Sequence, residues 1–249
     1  MNIIICLKSV PDTATKVKVA ADQKSLDAAG VQYIINPYDE FAVEEALRMK
    51  EKHGGEVTVL SLGSTNASKE IRSALAMGAD RGILLKETLP WRDGLSTAKV
   101  LAGQLKKLPH DLIWFGKQAV DQDQSQVGLM VATLLGLPAV SEVVKVEING
   151  ASAVVHREGE GAKEVFDVPL PCVLTAQKGL NEPRLTSMKG IMAAKKKTIE
   201  EVAIEAVEPK LRIEKMELPA PRPAGKIVGQ GKDAVPELIR LLHEEAKVI

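Results

Sequence analysis

Aromatic residues are scarce in this sequence, with three Phe, two Tyr and two Trp among 249 residues. Sites for single-stranded nucleic acid depend on aromatic side chains that stack on bases, so this scarcity argues against such a site. Net charge is also absent, because 33 Lys and Arg balance 33 Asp and Glu. A chain without a net positive field is not drawn to nucleic acid or to anionic membranes. We therefore expect no nucleic-acid partner.

Cysteine is rare as well, and Cys6 and Cys172 both lie in apolar stretches without the spacing of a metal or redox motif. This argues against a disulfide framework and a zinc site, and favours a reducing compartment such as the cytoplasm. No apolar run approaches the length of a membrane span, and the initial run MNIIICLKS is too short for a signal peptide. The sequence predicts a soluble protein with no membrane insertion and no bound metal.

The first half of the chain alternates short apolar runs with amphipathic segments. The predicted strands are Ile3–Leu7, Tyr33–Ile35, Val57–Leu62, Gly82–Leu85 and Leu112–Phe115. The predicted helices begin at Asn36-Pro37, at Ser64 or Thr65, near Ser96 and at Gly128. This alternation predicts an α/β fold with a doubly wound, mainly parallel sheet.

The helix that follows Asn36 has the clearest start signal. Asn36 suits the N-cap position, Pro37 suits the first helical position, and the charge of Asp39 suits the positive end of the helix dipole. An apolar stripe predicts which face of this helix is buried, and it places Glu44 and Arg48 on the solvent side.

The second half has a different pattern. Val143–Ile148 and Ala153–Arg157 alternate around Asn149-Gly150, which predicts an antiparallel hairpin added to the sheet. Glu164–Val168 and Cys172–Thr175 are predicted strands.

Residues 207–249 are predicted to be an extended C-terminal arm, distinct from an α/β domain at 1–206. Prolines at 219, 221 and 223 interrupt an apolar segment, and an amphipathic helix is predicted over Ala234–Ala246. Such an arm either packs on a partner subunit or folds back as a self-packed tail, and the residues alone leave both open.

The segment Leu112–Met130 carries the strongest sign of a ligand site. An apolar run ends at Gly116, polar or small residues follow from Lys117 to Val127, and an apolar helical pattern resumes at Gly128. Parallel α/β sheets bind ligands at the carboxyl ends of their strands, and this loop is longer than most strand-to-helix loops. A solvated connector is the alternative.

Five segments together resemble one family. They are IIICLKSVPDT, INPYDEFAVEEALRMKEK, IRSALAMGADRGI, FGKQAVDQDQSQVG and LNEPRLTSMKGIMAAKKK. In order and nearly end to end, they closely resemble the β subunit of electron transfer flavoprotein. One departure lies near REGEGAKEVFDVPLPCVLT, where the family commonly has a more acidic turn and an aliphatic residue in place of Phe166.

The resemblance implies an adenine nucleotide α-hydrolase-like fold and a heterodimer with an α subunit, which holds most of a redox-active FAD. The arm of the β subunit packs on the α subunit, and the β subunit buries AMP. In the electron-bifurcating branch, which oxidises NADH, a second FAD takes the place of AMP. Electrons pass from acyl-CoA or related flavin dehydrogenases toward a membrane quinone oxidoreductase, so the chain is a carrier subunit and not a self-sufficient enzyme. A homodimeric adenine-nucleotide sensor without flavin is the alternative of another class.

The resemblance also assigns the nucleotide to the carboxyl ends of the first strands and to the polar loop. The Asn36–Asp39 turn suits the adenine, while Ser125 and Gln126 suit the phosphate at a helix amino end. Asp121 and Asp123 suit ribose hydroxyls or the loop backbone. The predicted nucleotide residues are Cys6, Leu7, Asn36, Pro37, Tyr38, Asp39, Leu62, Gly63, Phe115, Gly116, Lys117, Gln118, Ala119, Val120, Asp121, Asp123, Gln124, Ser125, Gln126, Val127 and Gly128.

The choice between AMP and FAD depends on the loop. FAD-binding relatives typically have Gly and Thr where this chain has Gln122 and Gln124, and a Gln side chain restricts the close backbone approach that glycine allows. Val127-Gly128 resembles the FAD-binding form. We predict AMP in this subunit.

A second predicted site is a partner-recognition segment. In relatives, a loop here recognises acyl-CoA dehydrogenases through a bulky apolar anchor followed by lysines, and Met188, Lys195, Lys196 and Lys197 match these positions. A methionine anchor is adaptable, although Met188 packing against its own sheet is the alternative. No catalytic residues are predicted, because the four histidines lack a nucleophile at motif spacing.

Overall fold

The structure, a computed structural model, describes residues 1–87, 89, 91–222 and 224–249. Within this part of the chain there are two compact units, Met1–Met216 and Glu217–Ile249. Pro223 is one of the three prolines from which the arm was predicted, and it lies outside the described residues.

The first unit carries all the strands of the described chain. They are β1 (Asn2–Cys6), β2 (Ser9–Pro11), β3 (Tyr33–Ile35), β4 (Glu56–Gly63), β5 (Arg81–Lys86), β6 (Leu112–Gly116), β7 (Ala139–Asn149), β8 (Ser152–Glu158), β9 (Lys163–Pro169), β10 (Cys172–Ala176) and β11 (Ile199–Ala203). The helices are α1 (Pro37–His53), α2 (Ser68–Met77), α3 (Gly94–Leu105), α4 (Val127–Leu135) and α5 (Met188–Lys196) in this unit, and α6 (Val235–Glu244) in the second.

Nine strands form one sheet in the order β11-β5-β4-β1-β6-β10-β7-β8-β9, as far as the described residues show. The pairs from β11 to β7 are parallel, and β7-β8-β9 are antiparallel. β2 and β3 form a separate antiparallel pair. The predicted α/β fold with a mainly parallel sheet and an added hairpin is confirmed.

Helices cover both faces of the sheet because its central strands are apolar on both sides. In β1, Ile3 and Ile5 face the core under α1 and α2, whereas Ile4 and Cys6 face the core under α3 and α4. Side chains alternate between the two faces of a strand, so a continuous apolar run is typical of a strand buried on both sides.

The order of the strands places a switch point at β1. From β1 the chain moves outward through β4 to β5, and it then crosses to the other side of β1 to form β6. The loops that follow β1 and β6 therefore diverge to opposite faces and leave a crevice between the two strand ends. This crevice is where an open α/β sheet binds a ligand.

The sequence predictions differ from the structure in the details of two helices. The helix predicted from Ser64 or Thr65 begins with a 3₁₀ turn, Thr65–Ala67, so that α2 starts at Ser68. The prediction that Glu44 faces solvent was wrong, because Glu44 is only 2% exposed. The chain segment before α5 covers that face of α1 and binds the Glu44 carboxylate through Arg184.

Candidate functional site

A cavity of about 1060 Å³ opens at the carboxyl edge of the sheet, where β1, β4 and β6 end. Its volume lies at the upper end of the range of roughly 300–1,000 Å³ that is usual for small-molecule sites. The walls at the switch point come from Cys6 at the end of β1 and Leu7 after it, Leu62 in β4, and Phe115 and Gly116 in β6. A mainly apolar floor with polar loops around it suits an adenosine.

The Asn36 side chain fixes the loop after β6 instead of capping α1. Asn36 stands at the N-cap position, but its side chain makes no capping hydrogen bond. Its Nδ2 donates to the carbonyl of Gln118 at 2.8 Å, and its Oδ1 accepts the amide of Val120 at 3.1 Å. The predicted N-cap position of Asn36 is confirmed. Its side chain does not cap the helix, because the β6–α4 loop offers the buried amide a donor and an acceptor at the same time.

The Asp39 carboxylate joins the ends of β1 and β6. Its Oδ2 accepts the amide of Lys8 at 2.7 Å, and its Oδ1 accepts the amide of Gly116 at 2.9 Å and Asn36 Nδ2 at 3.0 Å. Burial raises the pKa of this carboxyl group to about 7, against the lowering effect of these hydrogen bonds. Asp39 therefore sets the spacing of the two strand ends between which the cavity opens.

The polar loop holds its own shape through side-chain hydrogen bonds. Gln118 Nε2 donates to Asp123 Oδ1, and Ser125 Oγ donates to Gln118 Oε1, both at 2.6 Å. Asp123 and Ser125 adopt left-handed backbone angles, with φ of 48° and 51°. Lys8 Nζ forms an ion pair of 2.7 Å with Asp121, which ties the loop to the end of β1. The loop is thus prearranged beside the cavity.

Gly116 and Gly128 allow two close approaches in this region. A Cβ at Gly116 would lie 2.4 Å from Asp39 Oδ1, and one at Gly128 would lie 3.0 Å from the Thr175 methyl carbon. Gly128 is in the first turn of α4, where backbone amides and the helix dipole favour an anion such as a phosphate.

The structure brings most of the predicted nucleotide residues to this cavity. Those that line it are Cys6, Leu7, Asn36, Asp39, Leu62, Phe115, Gly116, Lys117, Gln118, Ala119, Asp121, Gln124, Ser125, Gln126, Val127 and Gly128. Pro37, Tyr38, Gly63, Val120 and Asp123 lie in the adjoining elements and do not form its lining. The assignment of both groups of residues to a nucleotide stays a prediction.

Three parts of the cavity lining were not predicted from the sequence. One is formed by β2, β3 and the segment between them, with Ser9, Pro11, Asp22, Lys24, Ser25, Leu26 and Tyr33. The other two are walls formed by later parts of the chain. The β5–α3 loop supplies Trp91, Arg92 and Gly94, and the segment after β11 supplies residues 208, 209, 211–213 and 216. The first wall could have been found, since β5 lies beside β4 in a parallel sheet and its carboxyl end must reach the same edge. The second follows a strand, β11, whose short polar sequence gave no signal.

These two walls are joined by buried charges. Arg92 Nε donates to Glu87 Oε2 at 2.6 Å, and the Arg92 guanidinium also donates to the carbonyl of Val207. The Asp93 carboxylate caps α3 through the amide of Ser96 at 2.7 Å and accepts the amide of Leu211 at 3.0 Å. The residues that follow β11 are therefore held at the cavity and belong to the first unit.

A second feature is an exposed apolar surface around α5. We call it the α5 surface, and it comprises Leu185, Met188, Ile191 and Met192 with the exposed lysines 189, 195 and 196. The Met188 side chain is 76% exposed, so it does not pack against its own sheet. Lys197 differs from the two lysines before it, because its ammonium group donates to the carbonyl of Ala79.

Known proteins provide the decisive comparison. The family described as "Electron transfer flavoprotein domain" matches residues 24–207. The electron transfer flavoprotein subunit beta of Bacillus subtilis is 41% identical over 259 residues, which cover 100% of both chains. This chain belongs to the electron transfer flavoprotein family. The subunit beta of Syntrophomonas wolfei is 42% identical over 250 residues, which cover 100% of this chain and 98% of that protein.

Another relative has a name that includes a reductase. It is the Caffeyl-CoA reductase-Etf complex subunit CarD of Acetobacterium woodii, 42% identical over 197 residues, or 78% of this chain and 75% of that protein. The family resemblance seen in the sequence is confirmed. This chain is a β-type subunit whose general role is electron transfer.

No histidine among the described residues lines the cavity, and this part of the chain has no cluster of three His, Cys, Asp or Glu side chains that could hold a metal. None of the described helices is long and apolar enough to span a bilayer. Redox chemistry in electron transfer flavoproteins belongs to a bound flavin.

Proposed function

We propose that this chain is the β subunit of a heterodimeric electron transfer flavoprotein in the cytoplasm or an equivalent reducing compartment. It carries electrons from acyl-CoA or related flavin dehydrogenases toward a membrane quinone oxidoreductase. The redox-active FAD is held mainly by the α subunit. The observation that carries the proposal is the full-length match to subunit beta proteins, together with a nucleotide-sized cavity at the switch point of the sheet.

The cavity is proposed to hold a structural AMP. Its adenosine portion suits the apolar walls of Leu7, Leu62 and Phe115, and its phosphate suits the start of α4 near Gln126 and Gly128. Gln122 and Gln124 line the cavity, and both side chains are bulkier than the Gly and Thr that FAD-binding relatives typically have at these positions. These two residues are the reason for preferring AMP.

The alternative is that a second FAD occupies the cavity in place of AMP. The protein would then be a bifurcating flavoprotein that oxidises NADH. The relative named as part of a reductase complex favours it, as does Val127-Gly128. The cavity volume of about 1060 Å³ accommodates either nucleotide, so the volume does not distinguish AMP from FAD. The homodimeric sensor loses its support, because the subunit beta relatives match the entire chain.

The arm is proposed to pack on the α subunit. The prediction placed its start at residue 207, whereas the second compact unit starts at Glu217. Within that unit Leu218, Ile227 and Ile239 are 59%, 88% and 51% exposed. Apolar side chains exposed in this number favour a protein partner.

The α5 surface is proposed as the docking site for the dehydrogenase, with Met188 as the anchor and Lys195 and Lys196 as its charged rim. Lys197 contributes indirectly, because it fixes the end of α5. A central apolar anchor with a polar rim is the usual anatomy of a protein interface.

Co-expression with the α subunit tests this function. We expect a yellow heterodimer that is reduced by an acyl-CoA dehydrogenase and its acyl-CoA substrate. Trp91 lines the cavity and Trp114 is fully buried, so refilling a nucleotide-depleted cavity should change the fluorescence of wild type and much less that of Trp91→Phe. A colourless homodimer would contradict the proposal.

A further inference from the structure

The segment that leads into α5 is attached to one face of α1. Asn181 Nδ2 donates to the carbonyl of Phe41 and to Glu45 Oε2, both at 2.9 Å. One turn further along α1, Arg48 Nη2 donates to the carbonyl of Glu182 at 3.3 Å. Residues spaced by three and four lie on one face of a helix, so α1 presents a continuous polar strip to this segment.

Arg184 forms the largest set of contacts in this attachment. Its Nε donates to Glu44 Oε2 at 2.7 Å, and its Nη1 donates to Glu51 Oε1 at 2.5 Å. Its backbone amide also donates to Glu44 Oε2, at 3.1 Å. The guanidinium thus bridges two carboxylates, and the backbone is fixed at the same residue. Arginine suits this role because its donors form a rigid planar fork.

The Glu44 carboxylate is the buried end of this bridge. Its side chain is 3% exposed, and it also accepts Arg48 Nε at 2.7 Å. Burial alone would raise the pKa of Glu44, but hydrogen bonds from Arg184 and Arg48 outweigh it and lower the pKa. Glu44 is therefore ionised at neutral pH and holds Arg184 at a fixed place on α1.

The residue after this anchor is an unusually exposed leucine. Leu185 is 94% exposed, and Met188, three residues later, is 76% exposed. Exposed apolar side chains usually occur singly on monomeric proteins, whereas here they cluster on one short segment with lysines around them. Apolar residues that are held away from any core favour docking to another protein.

The α5 helix has its own anchors, which do not involve Arg184. A Cβ at Gly190 would lie 2.2 Å from the carbonyl oxygen of Ala76, so α5 packs closely on the end of α2. Arg72 Nη1 donates to the carbonyl of Ala194 at 2.7 Å. Loss of Arg184 should therefore loosen the segment before α5 and the first turn of the helix, while these contacts with α2 keep α5 in its place on the domain.

We propose that Arg184 is a positioning residue for partner recognition, which holds Leu185 and the start of α5 in the conformation that docks. The partner surface that fits is an apolar socket with an acidic rim, since the α5 surface is apolar with lysines around it. The inference rests on the proposed function of this surface. It adds Leu185 as a second anchor and Arg184 as the residue that presents it.

The test compares Arg184→Ala and Arg184→Lys in the intact heterodimer, with a purified acyl-CoA dehydrogenase as the probe. Arg184→Ala should raise the dehydrogenase concentration for half-maximal flavin reduction about tenfold, with the rate at saturation unchanged. Arg184→Lys should recover part of the loss, because it keeps the charge and cannot bridge both carboxylates. Arg81→Ala is the matched control, as Arg81 lies between two carboxylates at 3.6 and 3.3 Å elsewhere on the surface.

Hydrogen exchange gives a readout that needs no partner. The amides of Gly190 and Ile191 donate to Ser187 Oγ and the Ser187 carbonyl at 3.0 and 2.9 Å, so they report on the start of α5. Both should exchange faster in Arg184→Ala, while the urea midpoint of the whole subunit shifts little. Unchanged exchange, or faster exchange with an unchanged half-maximal concentration, overturns the proposal.

A cycle with Met188→Ala and Leu185→Ala separates this inference from the proposed function. Each single variant should raise the half-maximal concentration. In a double variant that combines either change with Arg184→Ala, the increase should be much smaller than the product of the two single fold-changes. No effect of Met188→Ala would contradict the docking role of the α5 surface. Effects of Met188→Ala without any effect of Arg184→Ala would contradict only the inference.

Discussion

The substitution Asp93→Asn should destabilise the first unit, because this carboxylate joins the start of α3 to the segment after β11. One oxygen accepts the amide of Ser96 at 2.7 Å. The other accepts the amides of Leu211, at 3.0 Å, and Lys210. Burial would raise the pKa of Asp93, but these hydrogen bonds outweigh it and lower the pKa from 3.8 to about 2.

The magnitude follows from linkage between protonation and folding. Because the folded pKa is below the unfolded value, Asp93 stabilises the folded state fully above about pH 4, and this stabilisation is lost as the pH falls toward 2. A shift from 3.8 to about 2 corresponds to about 2 kcal/mol. In Asp93→Asn the remaining oxygen can still cap α3, but the new amide group faces two backbone donors. Losing these hydrogen bonds to a charged acceptor should cost about 2–4 kcal/mol.

Urea unfolding of wild type and variant at pH 7 measures this loss, with Asp167→Asn on the exposed face of β9 as the control. The free energy of unfolding of wild type should also fall more steeply than that of Asp93→Asn between pH 4 and pH 3. A loss below roughly 0.5 kcal/mol, as for an ordinary surface substitution, would refute the reasoning. Equal pH slopes would show that the carboxylate is not held as described.

Three shorter predictions concern the arm, the anchor and the strand ends. Removing residues 217–249 should abolish association with the α subunit in gel filtration while the first unit keeps its melting temperature within a few degrees; a persisting heterodimer would place the contact elsewhere. Met188→Ala should weaken docking to the dehydrogenase by on the order of 2 kcal/mol, so flavin reduction should be slower at low carrier concentration while the flavin content stays unchanged. Unchanged stopped-flow rates would contradict the role of Met188 as the anchor. Gly116→Ala should cost about 1–3 kcal/mol in urea unfolding and weaken AMP binding in calorimetry, because its Cβ would lie 2.4 Å from a carboxylate oxygen. Gly103→Ala, with nothing within 4 Å, is the control and should be neutral or stabilising.

The parallel sheet could be predicted from the sequence because its signals are local. Runs such as Ile3–Leu7 are apolar at every position, and Asn36-Pro37 marks the start of α1 within two residues. The location of the cavity followed from the same reasoning, since a long polar loop after a buried strand must lie at the carboxyl edge. The hairpin around Gly150 was equally local, and Gly150 has the positive φ of 60° that such a turn requires.

Contacts between distant parts of the chain could not be predicted in this way. Glu44 looked like a surface residue because its partner Arg184 is 140 residues away. Asn36 looked like a simple cap because nothing local shows that the Gln118 carbonyl needs its amide. Leu211 looked like the start of an arm, and only the distant Asp93 carboxylate makes it a wall of the cavity. In each case a buried polar group takes a partner that periodicity does not reveal.

The most direct test of the account is the nucleotide content of the purified heterodimer. The protein is denatured, the released nucleotides are separated by chromatography, and their amounts are compared with the protein concentration. We expect one FAD and one AMP per heterodimer, with less AMP retained by Gly116→Ala and the FAD content unchanged. Two FAD and no AMP would contradict the assignment of the cavity between β1 and β6 to a structural AMP.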